Sequence, residues 1–183
     1  QEISMTLAYL RYLWAQATQA HAKRRKPFHP IPADALAIIH SMLPAESAIL
    51  CLGARNQQEP HMWREFGYSD VTAVDLLPSR GVSFGDMHRL SFADARFSLV
   101  HASHVLEHAF DPGRAVKEIC RVLRPGGLLW AAWPRNFQPN EHDRIDWGSA
   151  TAFVAYINIV GPRAERLYWG DSETESRVLV RIG

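Results

Sequence analysis

At 183 residues the chain is the size of one domain, and a balance of 20 Lys and Arg against 19 Asp and Glu gives no global electrostatic pull toward nucleic acid or an acidic partner. With 47% hydrophobic residues, 21% charged and only 11 Gly and 11 Pro, the composition excludes long disorder, collagen-like repeats and low complexity. Cys51 and Cys120 make neither a disulfide framework nor a spaced metal cluster, and no run reaches the ~18 apolar residues of a membrane span, so a soluble cytoplasmic protein is expected.

Ile3, Leu7, Leu10, Trp14 and Ala17 recur at spacings of three and four, which predicts an amphipathic helix over 3–22 with that face turned inward. Lys23-Arg24-Arg25-Lys26 then crowds the helix end, where the macrodipole favours cations, and Pro27 and Pro30 follow. Ile31-Pro32-Ala33-Asp34 opens a second helix to about Met42. Together residues 1–45 read as a helical cap on a core of 46–183 within one domain. From there short apolar runs alternate with helices. Strands are expected at 48–53, 71–75, 82–86, 97–102 and 128–133, and helices at 58–66 and from Asp111-Pro112 to Leu123, with Arg124-Pro125-Gly126-Gly127 as a stop. A helix at 152–159 and strands at 165–169 and 178–182 close the chain. This alternation predicts an α/β, Rossmann-like, mostly parallel sheet with helices on both faces, and such sheets bind ligands beyond the carboxyl ends of their strands.

The strand ends therefore carry the chemistry. Gly53 ends the first strand and Asp75 the second, near the ~20-residue spacing between a nucleotide-binding turn and an acid that accepts from both ribose hydroxyls. Gly85-Asp86-Met87 adds a carboxylate to accept from an adenine amine and a polarizable thioether to pack on its ring. The same residues also serve plain turn geometry in many α/β domains.

His101-Ala102-Ser103-His104-Val105-Leu106-Glu107-His108-Ala109-Phe110-Asp111-Pro112, continued by Arg121-Val122-Leu123-Arg124-Pro125-Gly126-Gly127, resembles the fourth- and fifth-strand block of class I S-adenosylmethionine-dependent methyltransferases of the small-molecule, type-11-like group. With Gly53, Asp75 and Gly85-Asp86 in register, the resemblance spans about 47–133 and implies a seven-stranded sheet with an antiparallel last strand. It implies S-adenosyl-L-methionine as cofactor, held by Gly53, Ala54, Arg55, Asp75, Leu76, Gly85, Asp86, Met87 and Ser103, with His104 nearest the site of methyl transfer as the candidate base. The departure lies at Cys51-Leu52-Gly53-Ala54-Arg55-Asn56-Gln57, which keeps one glycine of the family's three and lacks its acid. Arg55 either compensates as a bidentate fork for the methionine carboxylate or fills the pocket itself.

His104-Val105-Leu106-Glu107-His108 also spells the inverted zinc-peptidase motif, but it follows a strand directly inside the methyltransferase block, so no metal is assigned, and Glu107 and His108 are expected to fix the loop by hydrogen bonds. The polar, aromatic stretch 136–147 reads as a substrate wall, with His142 and Asp143 as its candidates. The expected function is methyl transfer to a small-molecule acceptor, with neither nucleic acid nor membrane as partner and a homodimer formed through the N-terminal helix. The competing class is an inactive scaffold on the same fold; a nicotinamide enzyme is disfavoured by the missing glycine fingerprint.

Overall fold

The computed structural model describes residues 7–23 and 28–183, so Ile3, Pro27 and the side chains of the basic run 23–26 lie outside the described residues. Seven strands form one sheet: β1 (Ile49–Leu52), β2 (Val71–Asp75), β3 (Ser83–Phe84), β4 (Phe97–Ser103), β5 (Leu123–Pro134), β6 (Ala164–Asp171) and β7 (Glu175–Ile182). Their spatial order is β3-β2-β1-β4-β5-β7-β6. The first five are mutually parallel, and β7 runs antiparallel to both β5 and β6. The Rossmann-like expectation with an antiparallel last strand holds.

The side-chain alternation of the strands divides the core in two. Leu50, Val100, Leu129 and Val178 face α4 (Pro112–Val122) and α5 (Ala150–Val160), where Val116, Ile119, Phe153 and Ile157 are buried. Ile49, Cys51, Leu99 and Trp130 face α2 (Ala33–Met42) and α3 (Gln58–Glu65), met by Ala35, Ile39 and Trp63. Thus α2 is a layer of the core, and of the two helices expected as a cap only α1 (Leu7–Lys23) lies over the strand ends. Helix starts follow the expected chemistry: Asp111 accepts from Arg114 N at 2.9 Å ahead of Pro112, a cap worth about 1 kcal/mol.

Three local differences have physical reasons. The third strand shrinks to Ser83–Phe84 because Val82 turns back on Ser79 and Asp86 on Arg89. The fifth begins at Leu123, which pairs with Phe97 directly after α4, before a register shift carries the pairing on to Leu99 and Leu128. The expected buried face of α1 is also wrong. Leu7, Leu10 and Trp14 are 64%, 43% and 75% exposed, while Tyr9, Tyr12 and Gln16 are buried. The inward face is the polar-aromatic one because it meets the polar ends of the strands and not their apolar faces.

Candidate functional site

The first loop after β1 is built on a glycine that nothing else replaces. Gly53 sits at φ +73°, and a Cβ there would stand 2.4 Å from Val105 Cγ2, so both the left-handed backbone and the close approach require its absence. Arg55 follows at φ +31°, its N–H donating to Asp75 Oδ2 at 3.2 Å, while Leu77 N donates to Asp75 Oδ1 at 2.8 Å. Asp75 therefore closes the loop. At Gly85 a Cβ would lie 2.6 Å from Val74 Cβ, so β3 runs close against β2.

These residues line one cavity of about 390 Å³, toward the small end of the usual ~300–1,000 Å³ range. Gly53, Arg55, Asp75, Leu76, Gly85 and Met87 form one part of its wall. The second part comes from α1 and the segments after β4 and β5: Tyr12, Gln16, Gln19, Glu107, His108 and Asp143. His29 and His104 also line it. Arg55, Asp75 and Met87 all stand on its wall.

Helix α1 is fastened over this space by polar contacts. Tyr9 Oη donates to Asp86 Oδ2, Gln16 Nε2 to the His142 carbonyl at 2.9 Å and Gln19 Nε2 to Asp143 Oδ1 at 3.4 Å. Asp86 is accordingly not on the cavity wall, which corrects its expected contact with an adenine amine. Its Oδ1 accepts from His88 N and Nδ1 at 2.9 and 2.7 Å, and Tyr9 takes the other oxygen. Burial alone would raise its pKa, but the bonds from His88 and Tyr9 outweigh that and hold it below the usual carboxylate value. Ala54 and Ser103 are buried off the cavity, and His142 presents its carbonyl to Gln16 and to His108.

The three histidines of the fourth-strand block separate. His101 points to the α3 side, where Trp63 Nε1 donates to its Nδ1 at 2.9 Å, and burial pushes it down to about 3. His104, at φ +50°, donates from Nε2 to Glu175 Oε2 at 2.9 Å. His108 donates from Nδ1 to the His142 carbonyl at 2.9 Å and lies 3.1 Å from Asp143 Oδ1, which leaves Nε2 near Glu107 at 3.9 Å. Burial would lower its pKa; Glu107, Asp143 and the His142 carbonyl together raise it above the ordinary histidine value. Glu107 is buried on the cavity wall, and among the described residues its Oε2 has no hydrogen-bond partner.

Sequence reasoning took Glu107 and His108 as loop-fixing residues and did not single out Glu59, His29 or Glu175. Glu59, in the first turn of α3, is buried and pushed up to about 8, chiefly by burial, with Arg55 lowering and Asp75 raising it. It also raises the Cys51 thiol, after burial, so a carboxylate from α3 stands close to where the family's pattern has its acid. Its place just past the first loop was the available signal.

Comparison with known proteins agrees with this geometry. A family model described as a methyltransferase domain matches residues 50–131. A malonyl-[acyl-carrier protein] O-methyltransferase of Pseudescherichia vulneris is 31% identical over 115 residues, covering 49% of this chain and 45% of that protein. The chain spans less than half the length of the curated relatives it matches. Among solved structures, the cyclase SpnF is similar at TM-score 0.68 and 15% identity, over 100% of this chain and 98% of that one. The 1,6-didemethyltoxoflavin-N1-methyltransferase of Burkholderia thailandensis, solved with S-adenosylhomocysteine, is similar at TM-score 0.64 and 18% identity, over 100% and 92%.

Proposed function

We propose that the chain is a class I S-adenosylmethionine-dependent methyltransferase that transfers the cofactor's methyl group to a small-molecule acceptor bound beneath α1, a reading supported by the family match over 50–131 and by the fold. The observation that carries this reading is a single cavity whose wall joins a glycine-and-carboxylate cradle to a buried carboxylate and a histidine. The residues present suit the cofactor: Gly53 and Gly85 are positions where a Cβ has no room, and Asp75 places a carboxylate on the cavity wall. Gly53, Asp75, Leu76, Gly85 and Met87 would hold the nucleoside, and Arg55 the methionine carboxylate through its guanidinium fork.

When bound, the cofactor supplies a methyl group already activated on a sulfonium, so the chain's own work is alignment and proton removal. Tyr12, Gln16 and Gln19 would orient the acceptor from α1. His104 was the expected base; His108 suits the task better, because its Nδ1–H is held by the His142 carbonyl beside Asp143, which leaves Nε2 near Glu107, and both His108 and Glu107 line the cavity. Asp143 would be its positioning residue. The small cavity favours a small acceptor, and among the described residues no helix is long and apolar enough to cross a membrane. The same reading puts the protein in the cytoplasm with Cys51 and Cys120 reduced. It pairs two chains through the exposed Leu7, Leu10 and Trp14 stripe; sedimentation equilibrium should then give a dimer, and Trp14→Glu a monomer.

The fold also carries a cyclase, so fold alone does not dictate methyl transfer. Titration calorimetry with S-adenosylmethionine and S-adenosylhomocysteine is the test. One site per chain, weakened by Arg55→Ala, is expected; the absence of heat or competition up to millimolar ligand would end the proposal.

A further inference from the structure

His104 belongs to a second constellation that the methyl-transfer reading does not use. His29, from the connection ahead of α2, His104, at the end of β4, and Glu175, at the start of β7, bring one ligand atom each to within 4.8 Å of one another. His29 Nδ1 lies 3.3 Å and His104 Nε2 2.9 Å from the same oxygen, Glu175 Oε2. Ligands ~2.0–2.1 Å from a tetrahedral zinc ion stand about 3.3 Å apart along each edge, so the spacing already approaches that of a three-ligand site. The two imidazole rings stack at 3.7 Å with 22° between planes, presenting their nitrogens side by side to the shared oxygen. Seating an ion requires His29, the exposed member, to turn about its side-chain bonds. The other Glu175 oxygen is held by Arg177 Nη2 at 2.8 Å, an outer contact of the kind that fixes a ligating carboxylate.

We propose that His29, His104 and Glu175 bind one divalent first-row transition ion, with zinc the best fit to two imidazoles and one carboxylate. The zinc-peptidase spelling of the sequence named His104 correctly but for the wrong set: Glu107 and His108 are not part of this group. Because His29 and His104 both line the cavity, the open coordination positions face the space assigned to the acceptor, within reach of an oxygen or nitrogen there. The ion would also tie the connection ahead of α2 to the ends of two strands. Its test needs no cofactor, so the proposal survives if the methyl-transfer reading fails.

The test is Zn²⁺ binding to chelator-treated full chain, by competition with a chromophoric indicator. One ion per chain at a Kd of about 1 μM or tighter is expected, and His29→Ala and Glu175→Gln should each weaken it by ~10-fold or more. Folding of both variants is checked by circular dichroism. On the unaltered chain, Zn²⁺ should shift the ring ¹⁵N resonances of two histidines, and Co²⁺ should give the intense visible bands of a low-coordinate site. No binding in this range overturns the proposal. So does binding that both variants retain, which would place the ion on other histidines such as the exposed His61 beside Glu65, and leave this trio a hydrogen-bonded cluster only.

Discussion

Gly53→Ala tests whether the first loop is held by two independent constraints. The left-handed backbone at φ +73° costs an alanine about 1–2 kcal/mol. The added Cβ meets Val105 Cγ2 at 2.4 Å and Val105 Cβ at 2.8 Å, an overlap on a buried, branched side chain that adds about 1–3 kcal/mol. The sum, about 2–5 kcal/mol, corresponds to a fall in Tm of about 4–20 °C for a chain of this size. Gly67 supplies the control: at φ +93°, with nothing among the described residues within 4 Å of an added Cβ, its alanine variant carries only the backbone strain, about 1–2 kcal/mol. Urea unfolding of both variants, of Val105→Ala and of the Gly53→Ala/Val105→Ala double variant measures the two parts separately. Shortening Val105 should recover about 1–3 kcal/mol of coupling. Equal losses at positions 53 and 67, or strict additivity in the double variant, would refute the close-approach argument and leave only the backbone conformation.

Stability should also follow the two groups buried under the first loop. Glu59, pushed up to about 8, keeps in the folded chain a proton that the unfolded chain releases near 4.5, so stability falls as pH rises through that window. His101, pushed down to about 3, refuses in the folded chain the proton that the unfolded chain takes up near 6.5, so stability falls as pH drops through that window. The slopes oppose each other between 4.5 and 6.5, where a plateau is expected. Glu59→Gln should match the parent near pH 5 and exceed it near pH 9 by on the order of 2–4 kcal/mol; a constant difference across pH contradicts the assignment. Asp75→Ala should weaken S-adenosylhomocysteine by about 10- to 100-fold in calorimetry, the loss of charge-assisted hydrogen bonds. If His108 is the base, kcat/KM for the acceptor rises with pH through a pKa above 6.5. His108→Asn should then lower kcat by about 10²-fold or more with cofactor binding intact, and Asp143→Asn should move the inflection down, an effect that a merely structural Asp143 would not produce.

Local patterns in the chain settled the elements and the fold. Apolar runs and helical periodicity located all seven strands, Asp111-Pro112 marked a helix start, and Gly53, Asp75 and Gly85 marked the strand ends that line the cavity. These signals are legible because each depends on near neighbours: a side-chain period, a cap, or a backbone angle that only glycine adopts without strain. Tertiary structure decided what depended on distant partners. The apolar stripe of α1 was correctly seen in the sequence, but which face is buried depends on the surface beneath, and the strand ends are polar. Asp86 was lost from the cavity wall because Tyr9, 77 residues away in the chain, takes one of its oxygens. His104 and Glu175, 71 residues apart, meet only because β7 returns antiparallel beside β5 and starts where β4 ends. A sequence records which groups are available; contacts across such separations follow from strand order and register, and those put the ionisable groups of this site together.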